Sequence, residues 1–198
     1  MRHATRRQFL NGMGAATLLG STRRLEAALL GVRPSIELVD AGEAGERLVV
    51  SGVVVDAGGR EQPGIGLRVY HTDAEGYYSR PESDPRRARI KGSLRTDAAG
   101  RYEIRTILPG HYPGRTIERH IHVHVLWEGH PEHWIDSFLF EGDPHLRADE
   151  VAKSKAAARF AHVMPMKRES GVISCGRDIR LDAALAERNQ LENGWYRQ

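Results

Sequence analysis

The amino-acid sequence predicts a mostly β protein, an antiparallel β-sandwich with short helices at its C-terminal end. Two observations predict this fold class. Short runs of β-branched or alternating apolar residues recur along the chain, and turn residues separate them. The candidate helical segments come late in the chain, so strands and helices do not alternate as a βαβ fold requires.

Each predicted element has its own local signal. Residues 47–56 are rich in valine and end in the turn Asp56-Ala57-Gly58-Gly59, and residues 66–72 alternate in polarity. The turn Asp97-Ala98-Ala99-Gly100 is predicted to join residues 92–96 and 101–107 in a hairpin. Further strands are predicted at 119–127 and 135–140, a helix at 148–161, and a strand end followed by a helix at 179–191.

Composition indicates one globular domain. The 198 residues are 40% hydrophobic and 28% charged, and the single cysteine, Cys175, excludes an intrachain disulfide. The chain has 29 Lys and Arg against 26 Asp and Glu, but five of the arginines lie in its first 24 residues. Without those five, the remaining 24 basic residues nearly balance the acidic ones, so no nucleic-acid partner is expected.

The N-terminal segment is predicted to be an export signal and linker covering residues 1–34, followed by one catalytic domain at 35–198. Arg6-Arg7 precede Phe9-Leu10 and then a short stretch rich in Gly and Ala, which resembles a twin-arginine signal. This stretch is too short for a stable membrane span. The sequence therefore predicts the twin-arginine export machinery as a partner and a periplasmic or secreted location. A cytosolic amphipathic helix is the alternative interpretation of the segment.

Three histidines alternate along the strand predicted at 119–127. Because successive side chains of a strand point to opposite faces, His120, His122 and His124 share one face, opposite an apolar face. Three imidazoles on one face indicate a metal site, but imidazole suits Zn, Cu, Fe and Ni alike. Two tyrosines in turn-rich loops, Tyr78 and Tyr112, offer phenolate, a hard donor that favours Fe(III). Taken singly, each tyrosine has packing or surface exposure as the alternative role.

Four segments, in order, resemble motifs of the intradiol ring-cleavage dioxygenases, the protocatechuate and catechol dioxygenases. They are Tyr70-His71-Thr72-Asp73-Ala74-Glu75-Gly76-Tyr77-Tyr78, Thr96-Asp97-Ala98-Ala99-Gly100-Arg101-Tyr102, Thr106-Ile107-Leu108-Pro109-Gly110-His111-Tyr112-Pro113 and His120-Ile121-His122-Val123. The resemblance covers about residues 48–144. It implies a non-haem Fe(III) cofactor held by Tyr78, Tyr112, His120 and His122.

The resemblance leaves two assignments open. Arg119 lies three residues before His122, a spacing that occurs in the family and would instead make His122 and His124 the ligand pair. The family also uses an arginine to stabilise charge on the reacting substrate, and both Arg119 and Arg115 are candidates. Tyr77 falls one place early against the motif and is interpreted as a packing residue. The loop histidines are not expected to be ligands; they are His111, His130, His133 and His145.

The activity that the resemblance implies is cleavage of a catechol-type aromatic by O2 between its two hydroxyl-bearing carbons, giving a cis,cis-muconate-type dicarboxylate. In that reaction Tyr112 would leave the metal and help to take up a catechol proton. The alternatives are a Zn- or Cu-binding sandwich that uses the histidine strand and a non-catalytic sandwich. The arginines of the loop at 77–91 are compatible either with an acidic substrate such as protocatechuate or with a solvated surface. A homo-oligomer remains open.

Overall fold

The computed structural model describes residues 33–80 and 84–182. The predicted signal at 1–34 therefore lies outside the described residues except for its last two positions. Most of the segment predicted as a strand end and helix at 179–191 lies outside them too. The strands are β1 (Ser35–Glu37), β2 (Arg47–Val55), β3 (Gly66–His71), β4 (Ile90–Arg95), β5 (Arg101–Ile107), β6 (His120–Leu126), β7 (His133–Trp134), β8 (Phe138–Phe140), β9 (Val163–Met164), β10 (Lys167–Glu169), β11 (Val172–Gly176) and β12 (Ile179–Arg180). Helix α1 (Ala148–Ala156) lies between β8 and β9.

The described strands form two six-stranded sheets. One has the order β1-β5-β2-β11-β10, with β12 also pairing with β2, and the other has the order β4-β3-β6-β8-β9, with β7 pairing with β6. The predicted β-sandwich is confirmed, and its sheets are mixed. The pairs β1–β5, β2–β11, β2–β12 and β8–β9 are parallel, whereas the other pairs are antiparallel.

A single large apolar cluster joins the inner faces of the two sheets. Val50 on β2 and Ile104 on β5 belong to it, as do Val69 on β3 and Ile121 and Val123 on β6. These side chains alternate with solvent-directed neighbours, as expected for a sheet with one buried face. Since Ile121 and Val123 point into the core, the histidines of β6 must lie on the outer face of the second sheet.

Three predicted elements differ from the structure. β4 and β5 do not form a hairpin, because β4 pairs with β3 and β5 pairs with β2, so the turn at 97–100 crosses from one sheet to the other. The strand predicted at 135–140 covers only Phe138–Phe140. The helix predicted at 148–161 ends at Ala156 and continues as a short 3₁₀ turn, Ala158–Phe160. Within the described residues, no helix combines the length and the apolar character that crossing a membrane requires.

Candidate metal centre

The three histidines of β6 share the outer face of the second sheet, as predicted. His120, His122 and His124 are each half-buried, and Ile121, Val123 and Val125 between them are buried. β6 is the central strand of the sheet and has β3 on one side and β8 on the other. The backbone beneath the histidines is therefore held from both sides.

Both His120 and His122 present Nε2 outward, because Nδ1 is engaged in each ring. His120 Nδ1 lies 2.8 Å from the carbonyl oxygen of Glu118, to which it donates. His122 Nδ1 lies 3.3 Å from Ser137 Oγ. The Glu118 carbonyl can only accept, so it fixes the His120 tautomer and leaves the Nε2 lone pair for a metal, and the Ser137 hydroxyl is compatible with the same tautomer of His122.

The tyrosines reach the histidines because two loops pack backbone against backbone. The Gly110 N–H donates to the Asp73 carbonyl at 2.8 Å, and the Thr72 hydroxyl donates to the Gly110 carbonyl at 3.0 Å. Asp73 Oδ1 also accepts the N–H groups of Glu75 and Tyr77 at 3.0 Å each, which closes the turn before Tyr78. The glycines of the two loops permit this approach and so bring Tyr78 beside Tyr112.

Four donor atoms converge at this point. The Tyr112 hydroxyl lies 2.8 Å from His120 Nε2, and the Tyr78 hydroxyl lies 2.8 Å from His122 Nε2. The two phenol oxygens also contact each other. Tyr78 is 3% exposed, so the cluster has a buried side. The structure thus brings together the four residues that the sequence predicts as ligands.

The donor set fits a metal ion. If His122, like His120, carries its proton on Nδ1, each phenol proton is given to an imidazole and none remains for the contact between the two oxygens. A cation shared by the four atoms resolves that conflict. Two ligands about 2 Å from one ion and at right angles stand about 2.8 Å apart, which is the separation of each tyrosine–histidine pair. Two phenolates and two imidazoles are hard and intermediate donors that suit iron.

Burial keeps His122 neutral. Loss of solvent, with smaller contributions from His120 and His124, lowers the pKa of His122 to about 3. A neutral imidazole is the form that binds metals, so this ring needs to lose no proton near neutral pH.

The His124 ring contacts Glu132 and not the two converging tyrosines. Its Nδ1 lies 2.8 Å from Glu132 Oε1, and that carboxylate also pairs with Arg68 at 2.9 Å. His124 Nε2 is buried and has no hydrogen-bond partner. The geometry therefore favours His120 and His122 as the pair that meets the tyrosines. In the part of the chain that the structure describes, no group of three or more His, Cys, Asp or Glu side chains is arranged to hold a metal.

Aromatic rings enclose one side of the centre. Tyr70 stacks on the His122 ring with a centroid distance of 4.6 Å and an interplanar angle of 25°. Trp134 meets the same ring edge-on at 5.3 Å. These contacts restrict the rotation of His122.

The two candidate arginines differ in their surroundings. Arg115 is exposed in the turn after Tyr112, and its N–H donates to the Tyr112 carbonyl at 3.1 Å. The Arg119 side chain is 35% exposed, and its Nε lies 3.9 Å from the Asp143 carboxylate. The Arg119 backbone is held by the Asp143 carboxylate, which accepts its N–H at 3.1 Å directly before His120. The contacts of the described residues do not assign the substrate-stabilising role to either arginine.

The arginines of the loop at 77–91 have carboxylate partners. Arg80 pairs with Glu75 and Asp73, and Arg86 pairs with Asp84. Arg89 binds both carboxylate oxygens of Glu43, at 2.7 and 2.8 Å. Most of the positive charge of this loop is therefore paired with nearby carboxylates.

Tyr77 packs under Arg80, whose guanidinium lies 4.4 Å from the ring centre, in agreement with its interpretation as a packing residue.

Several residues that orient the centre escaped the sequence analysis. Glu118 and Ser137 contact the Nδ1 atoms of the two histidines, and Asp143 binds the ring of His111. Their contacts join residues from 2 to 32 positions apart and follow no period. A carboxylate in the turn Gly142-Asp143-Pro144 carries no sequence signal beyond that of the turn itself.

Comparison with known proteins finds one family model that covers both the fold and these motifs. A family model described as dioxygenase (Dioxygenase_C) matches residues 33–185, which includes both sheets and all four converging side chains. The chain belongs to the intradiol dioxygenase family. Among curated relatives of this family, the protocatechuate 3,4-dioxygenase beta chain of Burkholderia cepacia is 31% identical over an alignment of 135 residues, and the match covers 59% of this chain and 57% of that protein. The catechol 1,2-dioxygenase of Acinetobacter baylyi is 31% identical over an alignment of 123 residues, and the match covers 53% of this chain and 39% of that protein.

Solved structures share the intradiol dioxygenase fold. The dioxygenase domain of a dioxygenase–carbohydrate-binding fusion from Streptomyces sp. SirexAA-E has a TM-score of 0.58 and 29% identity, covering 77% of this chain and 88% of that one. The catechol 1,2-dioxygenase of Pseudomonas arvilla C-1 has a TM-score of 0.60 and 20% identity, covering 87% of this chain and 69% of that one. This second likeness concerns the fold alone. The chain spans between about two fifths and three fifths of the length of the two curated relatives above.

Proposed function

We propose that this intradiol dioxygenase family member binds Fe(III) through Tyr78, Tyr112, His120 and His122 and cleaves a catechol-type aromatic with O2 between the hydroxyl-bearing carbons. The product would be a cis,cis-muconate-type dicarboxylate. The observation that carries the proposal is the convergence of two phenol oxygens and two imidazole Nε2 atoms. Family membership and the names of the relatives, catechol and protocatechuate dioxygenases, support the same reaction class.

The ferric ion, when bound, would supply Lewis-acid polarisation of the catechol oxygens. The chain's own contribution is to hold the donors and to move protons. Glu118 and Ser137 keep the Nδ1 sides of the two histidines occupied, so their Nε2 atoms stay directed at the phenol oxygens. Tyr78 is the more buried phenol and serves as the fixed one.

Tyr112 is suited to accept a catechol proton. It is half-buried in a loop, whereas Tyr78 is enclosed, and its oxygen already lies 2.8 Å from His120 Nε2. A phenolate in this half-buried position can take up the proton that a catechol hydroxyl loses. Proton transfer of this kind is general base catalysis by a positioned side chain. A cation at Arg119 or Arg115 would stabilise oxyanion character that develops on the substrate.

The deciding experiment is to reconstitute the purified protein with iron and to record its visible spectrum and its oxygen uptake with a panel of catechols. Two tyrosinates on Fe(III) should give a red to burgundy protein that consumes O2 and forms a ring-opened diacid. A colourless protein that holds stoichiometric iron would refute the assignment of the tyrosines. Coloured protein without oxygen uptake on any catechol would favour the non-catalytic alternative.

We also propose that the arginines of the loop after Tyr78 do not select for a carboxylate on the substrate ring. This rests on the loop after Tyr78, where Arg80 and Arg89 are paired with Glu75 and Glu43. A substrate carboxylate at this loop would have to compete with a carboxylate of the chain for each of these cations.

Residues 1–34 are proposed to direct export of the folded protein by the twin-arginine route, which places the enzyme in the periplasm or outside the cell. The support is the sequence pattern around Arg6 and Arg7. Cell fractionation of the full chain tests this. Replacement of both arginines by lysine should retain the protein in the cytoplasm, and unchanged distribution would contradict the proposal.

A further inference from the structure

One buried carboxylate binds both chain segments that lead into the Tyr112–His120 contact. The Asp143 side chain is 1% exposed. Its oxygens lie 2.9 and 3.1 Å from Nε2 of His111, the residue before Tyr112. The same carboxylate accepts the N–H of Arg119, the residue before His120, at 3.1 Å. The partners of Asp143 are therefore the immediate neighbours of two of the four converging side chains.

Asp143 itself is anchored to the histidine sheet. Its N–H donates to the Phe140 carbonyl at 3.3 Å, and Phe140 ends β8. β8 pairs with β6 such that Leu139 lies opposite His120. The Asp143 carboxylate also accepts the His145 N–H at 2.8 Å, which closes its own turn. A strand next to His120 thus carries the group that holds the Tyr112 loop.

The groups around Asp143 favour the ionised form of its carboxylate. Burial alone would raise the pKa of Asp143. Hydrogen bonds from the N–H groups of His145 and Arg119 and from the ring of His111 lower the pKa by more, so its net shift is downward. The Arg119 guanidinium, with Nε at 3.9 Å, adds a nearby positive charge. Hydrogen bonds to a buried charged acceptor are stronger than those to neutral groups, which makes this carboxylate an effective tie between segments.

We infer that Asp143 is a positioning residue that sets the distance and angle at which Tyr112 meets His120. Its action on Tyr112 passes through His111, and its action on His120 passes through the Arg119 backbone. The inference rests on the proposed function, because Tyr112, which Asp143 positions, is the proposed iron ligand and proton acceptor. By holding His111 and the Arg119 N–H together, Asp143 keeps the Tyr112 loop at a set distance from the start of β6.

The test compares Asp143→Asn with Asp97→Asn in the iron-reconstituted enzyme. Asp97 closes a similar turn between β4 and β5, where it accepts the N–H groups of Ala99 and Arg101 at 2.8 and 2.9 Å, so it controls for the loss of turn-closing bonds. Asp143→Asn should shift the tyrosinate-to-iron absorption band and lower kcat about 10- to 100-fold, with little change in KM for catechol. Asp97→Asn should lower thermal stability and leave the band and kcat unchanged.

A second variant, His111→Phe, leaves the His145 N–H and Arg119 N–H contacts of Asp143 in place and replaces the imidazole, whose Nε2 meets the carboxylate, by an apolar ring. It should shift the band in the same direction, and the double variant should lose no more activity than the stronger single variant, because both changes act on one contact. If Asp143→Asn does not fold, His111→Phe decides alone. A wild-type band and wild-type kcat in the folded variants would overturn the inference. A colourless wild-type holoprotein would refute the proposed function and this inference with it, before any variant is compared.

Discussion

The carbonyl oxygen of His111 lies 1.8 Å from the position that a Cβ atom would take on Gly76. Gly76 also has a φ of +89°, which L side chains rarely adopt. The turn that leads to Tyr78 and the loop that carries Tyr112 can therefore touch only because position 76 has no side chain. A residue that takes part in no chemistry thus determines whether the two phenols meet.

Gly76→Ala is expected to separate the two loops. The added methyl group must displace backbone rather than a flexible side chain, and it also strains φ, so we expect a loss of about 2–4 kcal/mol in unfolding free energy and a large loss of bound iron. Urea denaturation and iron analysis measure these effects. Gly59→Ala is the matched control, because Gly59 has a similar φ of +83° but open space around it. Equal losses in the two variants would contradict a role for the close approach.

Much of the centre was predictable from local pattern. The alternation of His120 and His122 with buried apolar residues fixes both a strand and the face of its histidines. The motif glycines mark where loops approach each other. Convergence of Tyr78 with His122 needs the tertiary fold, and only the resemblance to a family supplied it at the level of sequence.

The parts that sequence could not predict depend on long-range pairing. The Asp97 turn has the same local signal whether its flanking strands pair or separate, and here they separate into different sheets. The short strand Lys167–Glu169 is exposed at every position, so no period distinguishes it from a loop. Asp143 acts on His111 from 32 positions away, through a contact that only the folded chain creates.

Tyr112→Phe should abolish most of the activity and change the visible spectrum of the iron form. The variant loses the oxygen that contacts both His120 and Tyr78 and with it the proposed proton acceptor, so kcat should fall about 10²- to 10⁴-fold. Tyr78→Phe should also remove one absorbing phenolate. Tyr77→Phe is the control, since Tyr77 packs beneath Arg80, and its spectrum and kcat should match those of the wild type. Unchanged metal content, colour and activity in Tyr78→Phe and Tyr112→Phe would instead favour a site built from histidines.

Acid should destabilise the metal-free protein through His71. This ring is 1% exposed, with Nδ1 2.7 Å from the Thr72 carbonyl and Nε2 2.7 Å from the Thr106 hydroxyl. Burial lowers the pKa of His71 to about 4, against 6.5 for the ordinary side chain. The unfolded chain therefore binds the proton more readily, and this contribution to stability is full above pH 6.5 and is lost as the pH falls towards 4. The loss should be about 3 kcal/mol.

Urea unfolding between pH 7 and pH 4, in wild type and His71→Gln, isolates that contribution. The variant should be less stable at pH 7, because it loses at least one of the two hydrogen bonds of the ring. Its stability should fall less steeply with acid than that of the wild type. Parallel pH profiles for the two proteins would show that His71 is not the group responsible.

The paired arginines after Tyr78 predict a preference for catechol over protocatechuate. Arg80 already contacts Glu75 and Asp73, so a substrate carboxylate would lose water without gaining an unpaired cation, and kcat/KM should favour catechol by about 10-fold or more. Glu75→Gln should weaken this pairing and reduce the preference. Glu169→Gln, which alters an exposed ion pair with Lys167 on the other sheet, should leave the ratio unchanged. If protocatechuate were the better substrate of the wild type, or if Glu75→Gln left the ratio unaltered, Arg80 would not be the group that governs the choice.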